Sequence, residues 1–357
     1  MRRQIKSAMT AALLCLLLSG CANSSPVPES GVSQPGIVSD PFESKPQSST
    51  GSTSSVNSTS SVQVDSSASE ESETSEPYFM PQPSAFTFGI HGDGNRLIDD
   101  ATLTVPMMLS IGEESRAGVH VFLDGIPQKF CMEGESEKKY YNEYSFQDEH
   151  DEKYYPLMIE AQFDESLEKH TISGIGLGHV EFRPLSPNPN FVFYQLGMSP
   201  NSWAVDTSKN SVNYAKGLKI AAADAPKVMT QEQKTALKNG NSVRAAQKGG
   251  SPKATHFVLN PGETKLELEL SCGTMRTTEP YIYRVSVYKN HELVKFNDGC
   301  DLIDMTCETR KCSTAEITIE DVKVGDFIYI IAVPIEMEGI GSIKSETCMI
   351  TNPDMTF

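Results

Sequence analysis

One tryptophan, seven histidines and 30 Lys and Arg against 47 Asp and Glu are what this 357-residue chain has least of. The cation deficit leaves a formal charge of −17. Such a chain repels phosphate backbones and anionic headgroups, which excludes nucleic-acid binding and electrostatic docking on a bilayer. Helical periodicity is almost absent, which excludes a bundle. The short list of catalytic signatures is also empty. There is no Gly-x-Ser-x-Gly, no His-Glu-x-x-His, and no Ser-x-x-Lys with its partners. No catalytic residue is therefore assigned, no cofactor is expected, and metal ligands stay unassigned.

What the chain does have begins at its N-terminus. Arg2, Arg3 and Lys6 precede Ala8–Leu18, eleven uncharged and mostly apolar residues. That length suits a signal-peptide core and is too short to span about 30 Å of hydrocarbon. Leu18-Ser19-Gly20-Cys21 then resembles the lipobox of bacterial lipoproteins. The resemblance covers the first 21 residues. It implies cleavage before Cys21, a diacylglyceryl group on the Cys21 thiol, and a mature protein that is exported and held at the cell membrane or surface. Two acyl chains anchor stably where one is marginal. Loss of the three signal cations takes the mature charge to about −20.

Residues 21–78 read as a lipidated, disordered linker. Ser, Thr and Pro dominate it, and Ser48–Ser61 is almost wholly Ser, Thr and Gly. Such a composition buries too little apolar surface to offset the entropy of ordering. The segment could reach roughly 180 Å extended, or span about 40 Å as a coil.

Beyond it the pattern is that of strands. Leu266-Glu267-Leu268-Glu269-Leu270 alternates without a fault, and Tyr283, Val285 and Val287 share one face. Phe327–Val333 is apolar throughout, as expected of a central strand. Asp124-Gly125 between Val121-Phe122-Leu123 and Ile126 signals a hairpin. Thr230 and Gln233 are spaced as a capping box, so a short helix is expected from Thr230 to Lys238. Val119–Phe130 resembles the central hairpin of a bacterial immunoglobulin-like module, and Val322–Ala332 the turn and strand that enter the second sheet late in that fold. The expected fold is all-β: one β-sandwich over residues 79–198, a connector over 199–254 with Lys248–Pro252 as a hinge, and a second β-sandwich over 255–357. Trp203 is expected in a loop outside both modules.

Six cysteines follow Cys21, five of them in the last 86 residues: Cys272, Cys300, Cys307, Cys312 and Cys348. In an exported chain these are disulfide candidates. Together with Cys131 they allow fifteen pairings, and sequence chooses none of them. Spacing argues against a zinc site at Cys300, Cys307 and Cys312, since there is no Cys-x-x-Cys and no nearby His. His91–Asn95 reads as a turn rather than a calcium loop. His120 should face away from Val119 and Val121, at the surface. The glycines of Gly174–Gly178 lack the Lys-Ser/Thr of a phosphate loop and mark a bulge or a close backbone approach.

One constellation suggests binding. Asp148, Glu149 and Asp151 lie beside Tyr140, Tyr141, Tyr144, Tyr154 and Tyr155. Aromatic faces stack on sugar C–H surfaces while carboxylates accept hydroxyl hydrogens. The functional expectation is a lipid-anchored surface protein for binding, adhesion or interaction, with a glycan or an envelope protein as partner. The alternatives are a polysaccharide hydrolase working through paired carboxylates and a structural component of an envelope assembly that offers a strand edge.

Overall fold

Strict alternation buries Leu266, Leu268 and Leu270 and leaves Glu267 and Glu269 exposed, as a sheet with one covered face requires. The computed structural model describes residues 86–90, 96–97, 101–111, 115–146, 152–178, 180–181, 197–198, 202–208, 211–236, 242–250, 256–276 and 279–354. All of them belong to one compact unit, Ser75–Phe357. The signal segment, Cys21, the linker, His91–Asn95 and Asp148–Asp151 lie outside the described residues.

Four sheets make two sandwiches. In the first module, one sheet holds β1 (Phe86–Ile90), β2 (Arg96–Leu97), β3 (Thr102–Ile111), β6 (Lys129–Met132) and β8 (Glu152–Glu160), in the order β1-β3-β8-β6 with β2 beside β3. Its partner sheet holds β4 (Ser115–Leu123), β5 (Ile126–Pro127), β7 (Asn142–Phe146), β9 (Thr171–Gly178), β10 (Gly197–Met198) and β11 (Trp203–Ala204). Its order is β10-β9-β4-β5, with β11 beside β9 and β7 beside β4. In the second module, the larger sheet holds β12 (Ile220–Ala222), β15 (His256–Val258), β17 (Tyr281–Lys289), β18 (Glu292–Val294), β19 (Leu302–Cys307), β21 (Phe327–Pro334), β22 (Ile343–Lys344) and β23 (Cys348–Thr351). They run β12-β19-β17-β21-β23-β15, with β18 beside β17 and β22 beside β21. The facing sheet is β13 (Lys227–Val228), β20 (Lys311–Ile319), β16 (Leu266–Gly273) and β14 (Ser242–Gln247), in that spatial order. The fold is all-β, two tandem β-sandwiches.

Each sandwich has its own core. Leu103, Val105 and Leu109 meet Val119, Val121, Leu157 and Ile159 in the first. Leu266, Leu268 and Leu270 meet Val285, Val287 and Ile330 in the second. Burying each such side chain contributes about 1.5–3 kcal/mol.

A third apolar cluster joins the modules. Phe122, Ile175 and Leu177 on the outer face of β4 and β9 pack against Tyr288, Tyr329, Ile331 and Val333 on the outer face of β17 and β21. The two inner sheets are thus covered on both sides, and every residue of β9 and of β21 is buried. Gly174, on the other face of β9, serves the packing of the first core instead. A Cβ built on Gly174 would lie 2.6 Å from Ile90 Cδ1 and 3.1 Å from the His120 carbonyl oxygen, which is the close backbone approach the sequence indicates.

His120 is a correction. Its face is the one opposite Val119 and Val121, but that face is the junction, so the residue is 1% exposed rather than superficial. Period two assigns a side; it does not say what covers that side. The segment expected as a connector also builds sheets. β11 pairs with β9, β12 with β19, β13 with β20 and β14 with β16. Trp203 accordingly sits in a strand of the first module, not in a loop. β11, β12 and β13, of two or three residues, are too short to show alternation, and β14, Ser-Val-Arg-Ala-Ala-Gln, lacks a clean apolar/polar one. The helix α1 (Gln231–Ala236) forms where expected. Its capping box is complete: Gln233 N–H donates to Thr230 Oγ1 at 3.1 Å, and Thr230 N–H to Gln233 Oε1 at 2.9 Å.

Candidate functional site

The Asp124-Gly125 hairpin forms as its sequence requires, with φ of 53° and 73°. Its contacts reach the second module. Asp124 Oδ2 accepts from Asp164 N at 3.0 Å and lies 2.7 Å from His170 Nδ1, and Oδ1 accepts from Thr171 N at 2.9 Å. Arg284 of β17 donates from Nη1 to the Asp124 carbonyl at 3.0 Å and to Asp164 Oδ2 at 2.6 Å. Its Nε and Nη2 grip Asp304 in a bidentate pair at 2.8 and 3.0 Å. Burial would raise the Asp164 carboxyl, but hydrogen bonds from Ser166 and the Arg284 guanidinium hold it below the usual range.

A second polar chain crosses the junction. Tyr329 Oη lies 2.8 Å from His120 Nε2 and 2.9 Å from His291 Nδ1. His120 Nδ1 is 3.2 Å from the Tyr140 carbonyl. Burial pushes the His120 imidazole down to about 3, a hydrogen bond to the Tyr140 backbone opposes the shift, and Lys344 adds to it. The ring is neutral at ordinary pH.

Above this chain an open cleft of about 910 Å³ separates the modules. One wall is Lys139, Tyr140, Tyr141 and Glu143. The other is Asn290–Lys295 and Asp301. The second wall depends on the β17–β18 turn, where Asn290 and His291 both take positive φ, 53° and 70°. Asn290 is pinned to Asp326 and to the Phe327 N–H. His291 then stacks on Tyr141, with ring centroids 4.3 Å apart and planes 9° from parallel. Gly118 leaves the space that the Tyr141 ring fills; a Cβ there would overlap it. Tyr141 Oη donates to Glu143 Oε1 at 3.2 Å, and Arg116 pairs with Glu143 at 3.1 Å. Lys295 pairs with Asp301 at 2.7 Å. Tyr140 is the exposed aromatic of the site, 38% accessible, with Lys129 Nζ 5.4 Å from its ring centre.

The tyrosines grouped by sequence are thus divided. Tyr140 and Tyr141 reach the cleft. Tyr144 is buried in the core of the first module, and burial pushes its phenol far up. Tyr154 and Tyr155 enter β8, opposite Met108 and Met107 of β3, in the other sheet. Asp148, Glu149 and Asp151 lie outside the described residues. The residues missed were Asn290, His291, Glu292 and Lys295. A hairpin signal was available there, since Asn290-His291 interrupts Tyr281–Lys289 and Glu292–Val294, but nothing local joins it to Tyr141.

The cysteines distribute as follows. Cys131 is at the edge of the first module, and all six are carried as thiols in the structure. Cys272 and Cys307 are both buried in the second core. Cys312 packs with Met229 and Met275. Cys300 bridges Phe296 in a turn, and Cys348 pairs with Ile328. Among the described residues no group of three His, Cys, Asp or Glu is placed to hold a metal, and no helix is long and apolar enough to cross a membrane.

No family model matches the chain, and no curated protein does. Solved structures give distant likenesses. A chaperone–tip adhesion subunit pre-assembly complex of archaic chaperone-usher Csu pili from Acinetobacter baumannii is 14% identical over 70% of this chain and 92% of that one, with a TM-score of 0.17. Red sea bream transglutaminase is 8% identical over 76% of this chain and 32% of its own, TM-score 0.19. The BSP domain of a biofilm associated protein is 8% identical over 76% of this chain and 67% of that one, TM-score 0.19. At these scores none of them bears on what the chain does, which is left to its own residues.

Proposed function

We propose that this protein is a lipid-anchored cell-surface binding protein that holds a carbohydrate in the cleft between its two sandwiches. Cys21 carries the anchor, and residues 22–78 serve as the leash. The observation that carries the reading is the pairing of an exposed ring, Tyr140, with the Tyr141–His291 stack, flanked by Glu143, Glu292 and Asp301. A sugar ring presents an apolar C–H face and a rim of hydroxyls. Aromatic planes cover the first, and carboxylates accept from the second. The cleft is open and polar, which suits a flexible polymer better than a small apolar ligand. The Arg284 clamp and the apolar junction hold its two walls in register, so little ordering entropy is spent on binding.

A glycan array probed with the detergent-solubilised chain tests this. Binding to a defined set of sugars, weakened by Tyr140→Ala, supports the reading. A blank array, with a protein recovered in a cross-linked pull-down through the same cleft, replaces the sugar with an envelope protein. Material that is not membrane-bound when Cys21 is intact removes the anchor from the proposal.

A further inference from the structure

We propose that Cys272 and Cys307 form a disulfide across the two sheets of the second sandwich, and that this is the bond the exported protein carries. Strand register selects this pair. In the β16–β20 ladder Cys272 stands opposite Ser313 and Gly273 opposite Cys312. Directly opposed residues share a face, and consecutive residues alternate. Cys272 therefore points into the sandwich and Cys312 points out of it, where it packs on Met229 and Met275. Cys307 closes β19 in the facing sheet and belongs to the same core as Cys272. Both are 0% exposed.

The two strands are brought together just beyond these residues. Thr274 and Thr309 form a parallel bridge, and Arg310 N–H donates to the Thr274 carbonyl at 2.8 Å. Cys272 and Cys307 each lie two residues before that bridge, hence on the same side of it. A disulfide needs Cα atoms about 5.5–6 Å apart and facing Cβ vectors; the bridge draws the two strands together two residues on, and both side chains face the same core. Both side chains belong to one buried cluster, with Tyr281 and Tyr283 beside them.

The reaction balances with a small disulfide as oxidant. The thiolate of either cysteine attacks one sulfur of RSSR, forming a mixed disulfide and releasing RS⁻. The sulfur of the other cysteine, on losing its proton, displaces the second RS⁻. The protein loses two hydrogens, and RSSR becomes two RSH. The buried sulfurs require this to occur during folding, before the core closes.

The test is refolding of the denatured, reduced chain with glutathione disulfide, then alkylation in denaturant without reductant, digestion and mass spectrometry. The expected result is a linked peptide pair joining Cys272 to Cys307, with Cys312 and Cys348 alkylated. Reductant should then lower the melting temperature by roughly 5–10 °C. Cys272→Ser and Cys307→Ser should each abolish that sensitivity, and Cys312→Ser should leave it intact. Alkylation of both Cys272 and Cys307 after oxidative refolding overturns the proposal. So does a link from either of them to another cysteine.

Discussion

Arg284 Nη1 lies 2.6 Å from Asp164 Oδ2 across the junction of the two sandwiches, and the arginine is 3% exposed. One guanidinium from the second module thereby satisfies a carboxylate and a turn carbonyl of the first, as well as Asp304 of its own sheet. The modules are fixed to each other by a polar clamp beside an apolar interface.

Removing that guanidinium strands two carboxylates. Arg284→Ala should destabilise the protein by about 3 kcal/mol or more, as breaking a buried pair does. Arg284→Lys keeps the charge but loses the fork, so a smaller loss is expected. Urea denaturation followed by tryptophan emission from Trp203 measures both. An unchanged midpoint for Arg284→Ala would mean that the apolar contacts alone hold the junction.

Acid should weaken the fold through His120. Its folded pKa is about 3, below the unfolded value of about 6.5. Neutral His120 is fully accommodated above pH 6.5. As pH falls below that, the unfolded chain takes up a proton that the folded one refuses. Two pH units lower, the linked loss is about 2–3 kcal/mol. His170 acts in the opposite sense. Its contact with Asp124 raises its pKa, so its contribution is present below pH 6.5 and is lost as pH rises through the raised value. The difference between wild type and His120→Gln isolates the first effect. Melting temperatures from pH 7 to 4 should fall less steeply in the variant, and parallel profiles would refute the assignment.

Ligand binding and stability should separate at the cleft. Tyr140 is exposed, so Tyr140→Ala should reduce glycan affinity about tenfold or more with little change in melting temperature. Tyr141 packs on His291 and fills the space over Gly118, so Tyr141→Ala should lower both affinity and stability. Calorimetric titration and thermal melts on the same samples distinguish the two.

Gly174 tests the closeness of β9 to its neighbours. An added methyl would meet Ile90 Cδ1 and Phe88 Cζ, and behind them the His120 carbonyl. Gly174→Ala should cost about 1–3 kcal/mol from overpacking. Gly262→Ala, with nothing within 4 Å but φ of +84°, should cost only the left-handed strain, about 1 kcal/mol. Equal losses at the two sites would argue against steric contact at Gly174.

Much of the local structure was legible along the chain. Leu266–Leu270, the Asp124-Gly125 turn, the all-apolar β21 and the Thr230/Gln233 cap each carry their signal within a few residues, because side-chain period, positive φ and capping hydrogen bonds are local interactions. The partner face of His120, the strand role of Trp203 and the division of the tyrosines carry no such signal. Tyr141 meets His291 from about 150 positions away, through a turn whose only local mark is Asn290. Sequence by itself determined that the chain is β-rich and acidic, and it placed the long strands of the two cores and the main turns. Only the tertiary structure decided which faces are covered, which walls form a cleft and which two cysteines share a core, since those follow from packing between elements remote in sequence, and burial is a property of that packing.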